Sequence, residues 1–143
     1  AAPAADFRVT NYWAWHIKKD REASFYEARR GLVWRTQIVP PWHGLDDMVD
    51  ADTARLVRDN FEAFAKAYWT RTGRIDGIPP EVVSRLIELV SSSGDHGDID
   101  REIERYQALA RAGFTDLALK VFDDPMGALQ VICERVVPRF EAA

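Results

Sequence analysis

The residues best suited to chemistry fall in two short runs. In the first, Trp13-Ala14-Trp15-His16-Ile17-Lys18, a histidine follows two indoles placed two residues apart. An imidazole changes charge near neutral pH, so His16 is suited to hydrogen-bond a substrate or carry a proton, and an indole face can stack on a flat ring. The same residues have a structural use, in which the tryptophans pack beneath a helix and His16 ends a strand. In the second run, Phe122-Asp123-Asp124-Pro125, Asp124 is placed to cap a helix whose first residue is the proline. Asp123 is free of that duty and open to a ligand. A third stretch, Ser91 to Gly97, is made of turn formers; it reads as a loop or as an anion cradle at a helix N-terminus.

Other chemistries find less support. His16, His43 and His96 stand far apart with no zinc spacing, and no metal is expected. Cys133 is the one cysteine, which rules out an internal disulfide, and its place between Ile132 and Val136 on an apolar stripe predicts a buried structural thiol. No G-x-G-x-x-G, P-loop or G-x-S-x-G phrase occurs. The net charge of −4, with basic residues dispersed among acids, provides no field for nucleic acid. Apolar runs are too short for a membrane span, and residues 1–5 read as a linker rather than a signal peptide. With a single cysteine, these features predict a cytoplasmic protein.

The elements that must position these residues follow from periodicity. Phe7 to His16 alternates β-branched and aromatic residues and predicts a strand, with Val9, Asn11, Trp13 and Trp15 on one face and Arg8, Thr10, Tyr12, Ala14 and His16 on the other. Bulk on both faces predicts cover on both sides, as for a parallel strand. Asp20 caps a helix from Arg21 to Gln37 with Phe25, Ala28, Leu32 and Thr36 on one stripe. Pro40-Pro41 ends it, and Trp42-His43-Gly44 reads as a loop. Further helices are expected from Ala51 to Thr72, from Pro79-Pro80 to Val90, and, capped by Asp98, through Ile103 and Tyr106 to Gly113. Phe114 to Phe122 predicts a second strand, and the last helix presents Leu129, Ile132, Val136, Val137 and Phe140 until Pro138 kinks or ends it. Trp34, Trp42 and Trp69 read as packing or interface residues.

Strand, long helical excursion, strand and helix make two βα units with an enlarged first connection. Ile78 to Phe140, with Ser93-Gly94, the helix closing in Ala112-Gly113, the strand Thr115 to Phe122 and the final helix, resembles the C-terminal end of the luciferase-like superfamily of flavin- and deazaflavin-dependent oxidoreductases. Phe7 to Arg35 is similar to the preceding strand and helix of that family. The resemblance implies a helix-rich α/β fold, the C-terminal portion of a (β/α)8 barrel with two parallel strands. It implies FMN or a deazaflavin coenzyme contacted by Trp13, Trp15 and Asp123, with His16 as the catalytic residue at the carboxyl ends of the strands. The implied partners are a small-molecule substrate, the earlier strands of the barrel and further copies of the chain; a piece of a longer oxidoreductase, inactive alone, is expected. The alternative is a non-enzymatic helical module that uses its aromatic stripes for oligomerisation.

Overall fold

The computed structural model describes residues 7–37 and 45–141, with the side chains of 33–37 and 141 left aside. The linker assigned to residues 1–5, the loop at Pro40 to Gly44, and the side chains of Trp34 and Thr36 lie outside the described residues. In chain order, β1 (Thr10–Trp15) leads into α1 (Arg21–Gln37), followed by α2 (Leu45–Met48), α3 (Ala51–Asp59), α4 (Phe61–Thr70) and α5 (Pro80–Val90). Then come β2 (Ser91–Ser92), α6 (Ile99–Arg111), β3 (Asp116–Lys120) and α7 (Pro125–Val131), which passes through a π-helical turn, Ile132–Val136, into α8 (Pro138–Glu141).

The fold is helix-rich α/β with three parallel strands in an open sheet, ordered β2-β1-β3. The expected pairing of the first and last strands is present: Thr10 stands opposite Asp116 and Trp13 opposite Leu119. Two strands were expected and three are found, because Ser91 and Ser92 pair in parallel with Ala14 and Trp15 on the other side of β1. The ladder continues as the amide of His16 donates to Ser92 O at 2.7 Å and that of Lys18 to Gly94 O at 3.3 Å. Consecutive strands of a (β/α)8 barrel are neighbours, which would put β2 in the middle; here β1 is central, the order of a doubly wound sheet.

This order explains where the helices go. Parallel crossovers are right-handed, so a connection running to one side of β1 and the next running back across it lie on opposite faces. Trp13, Trp15, Leu117, Leu119 and Val121 pack with Ile99, Ile103 and Tyr106 of α6 and with Ile132 and Val136 beyond α7. On the other side, Phe25, Ala28 and Leu32 of α1 join Val57, Phe64, Leu86 and Ile87 in a helical core. Cover of both sheet faces, expected along the whole of β1, reaches only its carboxyl half: Ala14 and Trp15 are buried, but Tyr12 is 56% exposed.

Several local readings are corrected. The helix expected from Ala51 to Thr72 is two helices, parted at Asn60, whose side-chain amide donates to Leu56 O at 2.9 Å. Such a side chain offers the backbone an alternative to continuing the helix. The cap ahead of α6 is Asp95, which accepts from the Gly97 amide while Asp98 accepts from the Asp95 amide in a capping box. Cys133 is exposed rather than buried. So are Leu129, Val137 and Phe140 in part.

The π turn accounts for these last shifts. Pro138 has no amide to offer an α-helical carbonyl, and the Val137 amide instead reaches back five residues to Ile132 O at 3.0 Å. The extra residue turns the stripe, so that Ala128, Val131, Ile132 and Val136 face the sheet. Ile132→Ala is therefore expected to cost about 2–5 kcal/mol, and Leu129→Ala, with its side chain half in water, under about 1 kcal/mol. Denaturant midpoints of the two variants check the assignment; equal midpoints would mean the face is wrong.

Candidate functional site at the carboxyl ends of the strands

Because β1 and β3 are parallel, both end on the same side of the sheet, where α1 leaves over one face and α7 over the other. Adjacent strands whose connections part in this way leave a crevice beyond their carboxyl ends, the usual ligand position in open α/β sheets. A cavity of about 630 Å³ lies there, with Trp15, Lys18, Glu27, His96, Phe122 and Asp124 among its walls.

Its charged wall is built on a buried carboxylate. Glu27 is 3% exposed on α1; Lys18 Nζ lies 2.7 Å from Oε2 and His16 Nδ1 3.1 Å from Oε1. An ionised carboxylate only accepts, so Nδ1 carries the proton that His16 donates. Burial pushes the Glu27 carboxyl up, but the hydrogen bonds and charges of His16 and Lys18 outweigh it and hold the group below its ordinary value. The imidazole also stacks on Phe122, with ring centroids 4.5 Å apart. The structure thus joins His16 of the first run directly to Phe122 of the second, with Glu27 holding the imidazole in place.

The other predicted site residues have definite places. Trp15 is 1% exposed in the sheet-helix core and is part of the crevice wall, yet its indole Nε1 has no hydrogen-bond partner among the described residues. A buried donor left unpaired costs about 1–3 kcal/mol; Nε1 is closed to solvent within the wall, so an acceptor in the crevice reaches it only by displacing that wall. Trp13 lies outside the crevice: its Nε1 donates to Ser92 Oγ at 3.0 Å, and the Arg105 guanidinium sits 5.5 Å above its ring. Asp123 pairs with Arg30 on the other side of Phe122. Asp124 accepts from the Gly127 amide at 3.0 Å, the predicted capping role.

Ser91 to Gly97 also has a defined role. Ser92 Oγ donates to Glu102 Oε2 at 2.7 Å and accepts from Trp13, so its contact with Tyr106 at 2.5 Å is one in which the phenol donates. Burial pushes the Tyr106 phenol up, which keeps that proton in place. Gly94 follows at φ +130, where a Cβ would lie 2.0 Å from Asp98 Oδ2. That carboxylate oxygen instead takes the Asp95 amide at 2.9 Å and Arg21 at 2.7 Å.

Glu27 was not singled out in the sequence, and Lys18 and His96 stood in the chosen stretches without a role of their own. Glu27 left one legible sign, an acid beside Ala28 on the buried stripe of α1, where an unpaired charge is not tolerated. Among the described residues, no group of acids, histidines and cysteine is arranged to hold a metal ion, and no helix is long and apolar enough to cross a membrane. Compared with protein families, curated proteins and solved structures, the chain matches none.

Proposed function

We propose that this chain carries one wall of the redox site of a flavin- or deazaflavin-dependent oxidoreductase of the luciferase-like kind, with the crevice beyond β1 and β3 taking an edge of the coenzyme ring. The carrying observation is the unpaired Trp15 indole N–H, closed off within the wall of a crevice that also has an ammonium, Lys18, and an aromatic ring, Phe122. A flavin-like ring is flat and rimmed with carbonyl oxygens, so on displacing that part of the wall it offers the acceptor that Trp15 lacks and a surface for Phe122. The cavity volume falls in the range that encloses a ring-sized ligand. When bound, the reduced ring supplies the hydride or activates oxygen.

The chain's own residues orient the ring and hold a proton. Glu27 fixes the His16 ring and its protonated Nδ1; Lys18 sets a positive charge at the mouth. His16 itself is buried under Phe122, so proton traffic reaches the crevice through the Glu27–Lys18 pair that lines it. Carboxyl-end placement is common to barrels and open sheets, so the site does not depend on barrel closure. A barrel portion, as the resemblance implies, would need β2 to stand between β1 and β3.

The proposed partners are further strands, a small-molecule substrate and other copies of the chain. Support for them lies in β3, which has a strand neighbour on one side only among the described residues, and whose side chains in a parallel sheet are half-buried or, at Lys120, exposed. A purely helical interaction module remains the second reading, favoured by Trp69 and Met126, which are 76% and 74% exposed on helices.

Titration with FMN and with a deazaflavin coenzyme, followed by coenzyme fluorescence, separates the two. A partial wall predicts saturable binding weaker than micromolar, and Trp15→Phe, which removes only the donor, should weaken it about tenfold. No saturation at millimolar coenzyme, or equal affinity for Trp15→Phe, would remove the coenzyme reading.

A further inference from the structure

Beyond Phe122 from the crevice lies a second cavity, of about 440 Å³, between α1, the carboxyl end of α4 and the end of β3. Arg30, Arg71 and Lys120 come to it from these three elements, together with Tyr68, Trp69 and Asp123. Asp123 neutralises Arg30 through Nη2. The other acid of the lining, Glu27, is committed to His16 and Lys18. Arg71 and Lys120 form no ion pair with a carboxylate among the described residues, and the Lys120 ammonium lies over the Phe122 ring, 5.0 Å from its centroid. Two cations therefore face the cavity without a counter-charge.

Three further features set this cavity apart from an ordinary basic surface. The Arg30 side chain is 19% exposed, and its Nε is buried with no hydrogen-bond partner among the described residues. Arg71 ends α4 in the left-handed region at φ 51, the only non-glycine described there; glycine would hold that conformation without strain. Trp69 presents a ring that is 76% exposed, set edge-on to Tyr68 at 5.1 Å. A ligand carrying an anion and a flat ring would supply the counter-charge to Arg71 and Lys120 and cover the exposed Trp69 indole.

We propose that this cavity binds a phosphate monoester of a flat aromatic or heteroaromatic group. The phosphate dianion matches the two unpaired cations and offers oxygens to guanidinium N–H groups, and the ring of the ester lies on Trp69. Arg30, held in place by Asp123, forms the deep end; Arg71 and Lys120 form the mouth. The site shares Glu27 and Phe122 with the crevice as a common wall and does not depend on the redox reading.

Calorimetric titration of the full chain with adenosine monophosphate, adenosine and inorganic phosphate tests this. Adenosine monophosphate should bind at least about tenfold more tightly than either fragment. Arg71→Ala and Lys120→Ala should each weaken it about tenfold, one charge-assisted contact apiece, and lessen its salt dependence. Trp69→Ala should weaken the nucleotide while leaving inorganic phosphate unchanged. All three side chains are on the surface, so an unchanged thermal midpoint verifies folding. Equal affinity for adenosine and its monophosphate, or no effect of Arg71→Ala on a folded protein, would overturn the phosphate assignment; indifference to Trp69→Ala would overturn the ring.

Discussion

Glu27→Ala should destabilise the folded chain by about 3–5 kcal/mol, the usual cost of removing one partner of a buried charge pair. Glu27 and His16 are both 3% exposed, and Glu27→Ala takes away the carboxylate that accepts from His16 Nδ1–H while the imidazole stays buried against Phe122. Glu27→Gln keeps an acceptor and the shape, and should lose less. A pH signature accompanies this loss. The folded carboxyl is held below its ordinary value of 4.5, so its contribution is complete above that value and disappears as pH falls through the lower folded one. Acid unfolding of the parent should therefore close the stability gap to Glu27→Gln below about pH 4. A gap that persists or widens on acidification would show that the carboxylate does not stabilise through its charge.

Glu102→Ala should cost about 3 kcal/mol or more through a separate network. Glu102 is fully buried on α6, where it accepts from Ser92 Oγ at 2.7 Å, Arg101 Nε at 3.0 Å and Arg105 Nη1 at 2.9 Å. Arg105 also donates to Ser91 O at 3.1 Å and Glu88 O at 2.8 Å, tying the end of α5 and the whole of β2 to α6. Removing the carboxylate leaves a buried hydroxyl and two guanidinium groups short of an acceptor. Denaturant unfolding of Glu102→Ala beside Glu104→Ala measures this; equal midpoints would show that the network adds nothing.

The sequence made the long-range pairing of β1 with β3 readable because both segments alternate, with Trp13 and Trp15 in one and Leu117 and Leu119 in the other, and a strand-helix-strand unit permits few arrangements. It concealed β2 because two serines carry little strand preference. Their selection comes from tertiary packing: both serines are buried, and the Ser92 hydroxyl has partners on both sides, Trp13 of β1 and Glu102 of α6. Without β2 the order of the sheet could not be derived, so an order of neighbouring βα units was the natural expectation. The exposure of Leu129 and Cys133 was hidden for another reason, since α-helical periodicity was carried through a π turn that Pro138 imposes from further along the chain.

The candidate site was legible in part. His16, Trp15 and Asp123 lie at the carboxyl ends of their strands, but Asp123 belongs to the neighbouring cavity, and Trp13 is held by Ser92 and Arg105. Glu27 was obscured because its partners are eleven and nine residues back along the chain, at no helical or strand spacing, and only the turn between β1 and α1 brings them together.

A two-dimensional ¹⁵N–¹H correlation spectrum recorded during titration with FMN reads the site residue by residue. The Trp15 indole N–H should move most among the five tryptophans, together with the amides of Lys18, Phe122 and Asp124, as an acceptor reaches the unpaired donor. Movement confined to Trp69 and Arg71, with the Trp15 indole silent at saturating FMN, would contradict a coenzyme ring in the crevice beyond β1 and β3.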